Sequence, residues 1–261
     1  MIDSHCHLPG IDSLDKVASI LEEAKDFGVT QLVNIGTSLA HGEDVVAVSK
    51  DFNEIHAVSA IYPHEDLKVP LNDLMSQFEE FVQKHLDTLV GIGESGIDIT
   101  HWQGGRPLDD QITLFEFQAD LAKKYNLPLV IHNRNGDSYI LEVLRRVRPP
   151  KAVIHCFSSS WDFAQQILDL GYLVSFSGLI TYSSREYLLD TVRKVPQDMF
   201  LIETDSPYLK PKGVSSEKNH PKYVKLVAEK VALERRMPLQ DVDSVTTRTA
   251  CSFFNLASPV L

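Results

Sequence analysis

Leu129-Val130-Ile131-His132 is an apolar run that stops on a histidine. Ile140, Val143, Leu144 and Val147 follow at helical spacing, and Ala152-Val153-Ile154-His155 is a second apolar run that again stops on a histidine. Outward from this strand–helix–strand unit the pattern repeats along the chain. Similar runs are Ile2 to His5, Gln31 to Gly36, His56 to Ile61, Val90 to Glu94, Leu173 to Ser177 and Phe200 to Thr204, which makes eight in all. Their near-continuous apolar character suits parallel strands covered on both faces. Helical patterns fill the gaps, such as Leu14, Val17, Leu21 and Ala24, or Leu74, Phe78, Phe81 and Val82. Eight alternations predict an α/β protein of the TIM (β/α)8 barrel class, with a doubly wound open sheet as the alternative. No Pro/Gly/Ser linker interrupts the 261 residues, so one domain over residues 1–261 is expected, with an extra C-terminal helix from about residue 238.

Composition narrows the function. The balance of 25 Lys and Arg against 36 Asp and Glu, a formal charge of -11, argues against a broad sequence-independent grip on nucleic acid. It leaves room for a phosphate substrate in a pocket, where bound cations reverse the local field. No apolar run is long enough to span a membrane, and Met1-Ile2-Asp3-Ser4-His5 lacks the features of a signal peptide. Cys6, Cys156 and Cys251 are far apart, so a disulfide scaffold is not expected; a reducing, cytoplasmic compartment is. No membrane contact and no protein partner is implied.

Ionisable residues fall where the apolar runs end. These ends are His5-Cys6-His7, Gly93-Glu94-Ser95-Gly96, His132, His155 and Glu203-Thr204-Asp205. In a barrel, chemistry is built at the carboxyl ends of strands. His5 and His7 are two apart, so strand alternation places both imidazoles on one face, roughly 7 Å apart at Cα. An isolated pair of this kind also occurs on solvated strands. Five such ends together, each following an apolar run where an unpartnered ion is costly to bury, predict a metal site. Four histidines and at least two carboxylates exceed one tetrahedral ion and suit two divalent ions bridged by a carboxylate, whether zinc, magnesium, manganese or iron. Glu203 lies deeper on the same strand face as Asp205 and is expected to support a ligand histidine. Trp102, Tyr208 and Tyr62 lie in expected loops, where bases could stack at roughly 1–3 kcal/mol each. Cys156 should point away from the metals.

His5-Cys6-His7-Leu8, Gly91-Ile92-Gly93-Glu94-Ser95-Gly96-Ile97-Asp98, His132-Asn133-Arg134, His155-Cys156-Phe157 and Glu203-Thr204-Asp205-Ser206-Pro207-Tyr208 resemble, in order, the motifs of the TatD family of metal-dependent hydrolases. The resemblance implies a TIM barrel with a two-metal centre and deoxyribonuclease activity. It implies that His5 and His7 bind one ion, that Glu94 bridges, and that His132 and His155 complete the second site. Asp205 would bind the first ion beside the attacking water, making Asp205 and Glu94 the catalytic carboxylates. His64 and Arg134 match positions on the substrate side. Tyr62-Pro63-His64 stands where the family usually has His-Pro-His, and Lys218-Asn219-His220-Pro221 where it commonly has Arg-Asn-x-Pro, so Lys218 is a candidate phosphate contact.

The expected function is therefore a metal-dependent hydrolase cleaving DNA phosphodiester bonds with a two-metal-activated water, its partner a DNA or phosphoester substrate held in the pocket. An amidohydrolase-type enzyme acting on a small ester, amide or phosphoester is the alternative among enzymes. Many of those bridge their metals with a carboxylated lysine, and no lysine lies on strand four or five. A non-catalytic binding scaffold is the alternative outside them; it would not need ionisable residues gathered on one rim.

Overall fold

The computed structural model describes residues 1–100 and 104–257. Among these, eight strands alternate with eight α-helices, and a ninth helix follows the last of them. The strands are β1 (Ile2–Cys6), β2 (Gln31–Gly36), β3 (Ile55–Ser59), β4 (Leu89–Asp98), β5 (Leu129–Arg134), β6 (Ala152–Ile154), β7 (Leu173–Phe176) and β8 (Phe200–Ile202). The helices are α1 (Leu14–Asp26), α2 (Leu39–Asp51), α3 (Leu71–Lys84), α4 (Leu108–Lys124), α5 (Asp137–Val147), α6 (Trp161–Asp169), α7 (Leu188–Lys194), α8 (Val224–Arg235) and α9 (Leu239–Phe254). The strands follow chain order in one sheet, β1 through β8. This is the order of a TIM barrel, not the reversing order of a doubly wound sheet. No helix among the described residues is long and apolar enough to cross a membrane.

Contacts group the chain into two compact units, Met1–Asn34 with Cys156–Leu261, and Ile35–His155. In the first, β7 pairs in parallel with β8, and β1 with β2. The chain leaving β8 lies beside β1: Cys6 bridges Ser206, and the His7 N–H donates to the Ser206 carbonyl at 2.7 Å. In this unit α1 buries Val17, Leu21 and Ala24, and α9 buries Val242, Val245, Phe253 and Phe254.

In the second unit β3, β4, β5 and β6 pair in parallel. Helix α5 buries Ile140, Leu141, Val143, Leu144 and Val147, the stripe its 3.6-residue spacing predicts. Strand β4 does not end at Glu94–Gly96 as the apolar run suggests; it continues to Asp98 because β5 continues beside it, Asp98 pairing with Arg134. Register slips between Ile92 and Ser95 on β4, around Glu94, and between Asp3 and Cys6 on β1, around His5. Such irregularities re-aim a side chain at functional positions.

His56 on β3 is half-buried, and its buried Nε2 meets no hydrogen-bond partner. Burial pushes its pKa below the usual imidazole value. The unfolded chain takes up that proton near pH 6.5 while the folded chain resists it, so stability falls as pH drops through 6.5 and levels off below the folded value. A His56→Leu variant should show a shallower fall in Tm than wild type between pH 7 and 5. Parallel curves would show that His56 carries no such linkage.

Candidate metal centre

In the first unit, strand alternation turns Cys6 away, its thiol reaching the Val33 carbonyl at 3.5 Å, and leaves His5 and His7 together. Their Nε2 atoms are 3.3 Å apart. Asp205 Oδ1 lies 3.7 Å from His5 Nε2 and 3.5 Å from His7 Nε2. His5, His7 and Asp205 offer donor atoms within 4.8 Å of one another. Asp205 gets there by backbone pairing and an unusual turn. Its N–H donates to the His5 carbonyl at 2.9 Å, and its φ of 55° is left-handed, a region Asp enters more readily than most residues.

Buried neighbours hold that turn. Asp3 accepts the Thr204 N–H at 2.9 Å and pairs with its hydroxyl at 2.6 Å, and that hydroxyl accepts the Ser206 N–H at 3.1 Å. Burial pushes the Asp3 carboxyl well above its usual range, against the bonds from Thr204. Asn219 donates to the Thr204 carbonyl at 2.7 Å and to the Tyr208 carbonyl at 2.6 Å. Glu203 accepts the Cys156 N–H at 2.8 Å and has a carboxylate oxygen within 4.8 Å of a His5 ring nitrogen. The Cys156 thiol sits 3.1 Å from the Ser177 hydroxyl.

In the second unit, Glu94 on β4 gathers a second trio. Its Oε1 is 2.6 Å from His132 Nδ1 and 2.9 Å from His155 Nε2. Gly96 pairs with His132 across the β4–β5 ladder so closely that a Cβ there would stand 1.9 Å from the His132 carbonyl oxygen. On its other edge His132 Nε2 lies 3.3 Å from Asp98 Oδ2. Burial disfavours charge on His132, but the bonds to Asp98 and Glu94 outweigh it and raise its pKa. Asp98 shows the converse: burial opposes its charge, and bonds from His132, Thr100 and Tyr62 hold its carboxyl well below the usual range.

Both trios combine two imidazole nitrogens with one carboxylate, a donor set that fits zinc and other mid-size divalent ions. The His132 geometry tests that fit. With Nε2–H given to Asp98, the Nδ1 lone pair and the Glu94 oxygen face each other as two acceptors, an arrangement resolved by a proton or a cation between them.

The substrate-side residues are placed differently. Arg134 is exposed at the end of β5, and Lys218 is exposed in the first unit. His64 is engaged on both nitrogens: the Arg106 N–H donates to Nδ1 at 3.1 Å, and Nε2 lies 3.2 Å from the Asp98 carbonyl. A phosphate contact by His64 would have to displace one of these. Tyr208 is 61% exposed, its ring edge-on to His7 at 5.8 Å. Tyr62 is turned to Asp98 and His132. Trp102 lies outside the described residues.

Sequence reasoning assigned no role to Asp3, Asp98, Asn219 or two glutamines of α4, although Asp98 and Asn219 stand in the quoted motifs. Gln111 accepts the Asp98 N–H at 2.9 Å and donates to the Asp98 carbonyl at 3.1 Å. Gln118 brackets Ile61 and donates to the Ser95 hydroxyl at 2.7 Å. Their signal is spacing: seven residues apart, both fall on the apolar stripe of α4.

A family model described as TatD related DNase matches residues 2–255. An uncharacterised metal-dependent hydrolase of Bacillus subtilis (strain 168), YabD, is 30% identical over 98% of this chain and 99% of its own. A putative deoxyribonuclease of Mus musculus, TATDN3, is 28% identical over 97% of this chain and 88% of its own. The crystal structure of YjjV, a TatD homologue from Escherichia coli K12, matches with a TM-score of 0.90 at 27% identity, covering 98% of each chain.

Proposed function

The chain belongs to the TatD-related family of metal-dependent hydrolases, and from that premise we propose that the bond it hydrolyses is a DNA phosphodiester. One observation carries the reading: two trios of imidazole and carboxylate donors at or beside strands whose carboxyl ends are the chemical end of this fold. The family description and the putative deoxyribonuclease among the relatives support DNA as the substrate. The lack of any lysine on β4 or β5 weighs against the carboxylated-lysine bridge of many amidohydrolases.

His5, His7 and Asp205 would hold one divalent ion, and Glu94, His132 and His155 another. The bridging role of Glu94 is what the family resemblance implies. Bound divalent ions supply Lewis-acid neutralisation of phosphoryl charge and make water a better nucleophile near neutral pH. Asp205, held in its left-handed turn, orients the water and takes its proton. The Arg134 guanidinium offsets charge on phosphoryl oxygens, and Lys218 does so as a point charge. Tyr208 offers a face on which a base stacks. None of the three cysteines is in a disulfide, which supports action in a reducing compartment such as the cytoplasm.

The test is metal content by mass spectrometry, then turnover before and after chelation on single-stranded DNA, duplex DNA, RNA and small esters. Two equivalents of metal, loss of DNA cleavage on chelation and recovery on reloading are expected. With net charge -11 opposing a grip along duplex, linear ends should be degraded and closed circles spared. Turnover of esters or amides with none on DNA would move the chain to amidohydrolase chemistry. A protein that takes up no metal and hydrolyses nothing would make it a binding scaffold.

A further inference from the structure

We propose that Asp98 and Tyr62 are a positioning pair that fixes which nitrogen of His132 is presented to a metal ion. The inference rests on the reading of His132 as a ligand, and the resemblance gives Tyr62 no role, since the family usually carries His at that place. Asp98 Oδ2 receives two groups: the Tyr62 hydroxyl donates to it at 2.8 Å, and His132 Nε2 lies 3.3 Å away. Asp98 Oδ1 is filled by Thr100, whose N–H donates at 2.9 Å and whose hydroxyl donates as well. The Asp98 backbone is clamped on both sides by Gln111. Asp98 is 1% exposed, and its carboxylate has no freedom to rotate without breaking one of these bonds.

A carboxylate held this way accepts the Nε2–H of His132 and leaves Nδ1, the nitrogen facing Glu94, as the lone-pair donor. The Tyr62 ring meets the His132 ring edge-on at 4.8 Å, and the Tyr62 N–H is tied to the Thr37 carbonyl at 2.8 Å, so the pair also limits rotation of the imidazole. A phenol is the better residue here than an imidazole for a physical reason. Its hydroxyl is a donor throughout the working pH range, whereas a neutral imidazole presents a donor or an acceptor according to tautomer.

The experiment uses the full chain loaded with cadmium alone, followed by cadmium-113 NMR, and competition with a chelator for zinc affinity at each site. Wild type should give two resonances. In Tyr62→Phe and Asp98→Asn, one resonance should move and zinc affinity at that site should fall 10–100-fold. The other, belonging to His5, His7 and Asp205, should hold within about twofold. Tyr62→His, which can restore a donor, should recover part of the loss. Folded variants with both affinities unchanged, or with both lowered equally, would overturn the pair. A wild-type chain that binds no divalent ion would overturn the reading of the centre and the pair with it, whereas two bound ions with an unaffected Tyr62→Phe would overturn the pair alone.

Discussion

Replacing Asp205 by asparagine is expected to lower turnover about 10²–10⁴-fold, the range lost when a positioned general base is removed. The folded structure should hold, because the change is isosteric and Asn enters the left-handed region as readily as Asp, so the φ of 55° costs the variant nothing new. The backbone bonds to His5 and from Tyr208 do not involve the carboxylate. What is lost is a negative charge 3.5 Å from His7 Nε2 and the ability to take a proton. Affinity for one divalent ion falls too, so kinetics should be read at saturating metal, where a remaining deficit in kcat belongs to proton transfer. Turnover within a few-fold of wild type at full occupancy would remove Asp205 from the chemistry and point to another base.

Gly96→Ala is expected to be the most damaging of the small substitutions, costing about 3 kcal/mol or more of stability. The new methyl would lie 1.9 Å from the His132 carbonyl oxygen and 2.9 Å from its carbonyl carbon. Both belong to backbone in the β4–β5 ladder, so no side chain can turn aside. Relief requires the strands to part at the pair that sets His132 beside Glu94. For a domain of this size the loss corresponds to a drop of about 6–12 °C in Tm, measurable by calorimetry. Zinc affinity at the Glu94 trio should fall in the same variant. A Tm within 2 °C of wild type would mean that β4 and β5 are less tightly apposed than the ladder indicates.

Much of this molecule is legible in its amino acids because burial punishes exceptions. A histidine or carboxylate closing an apolar run, as His132, His155 and Asp205 do, has to find a partner, and the (β/α)8 rhythm says at which ends of the strands to look. What is not legible depends on contacts between distant residues. Asp98 follows Ile97 in what reads as a loop, and only the continuation of β5 to Arg134 keeps it in the sheet beside His132. Asp3 looks like an ordinary polar residue on β1 until Thr204 is set against it. His64 reads as a substrate contact by motif, yet Arg106 and the Asp98 carbonyl occupy its nitrogens. Alternation predicts faces; it does not predict which loop returns to fill a nitrogen.

Asn219 gives the chain after β8 a property of its own. Its amide ties the Thr204 and Tyr208 carbonyls, and its N–H donates to the Pro207 carbonyl, so the excursion from Leu209 to Lys218 leaves and returns through a fastened neck. The closure entropy of that excursion is borne at the neck, and doubling the length of such a loop adds only about 0.6 kcal/mol. Within the excursion the Lys210 carbonyl accepts from the Tyr182 hydroxyl at 2.7 Å and the Lys212 N–H donates to the Thr181 hydroxyl at 2.8 Å, so room to change length lies between Lys212 and Lys218. The fold has in effect an interchangeable fitting, where new preferences can arise by insertion between Lys212 and Lys218 while the turn that holds Asp205 is kept.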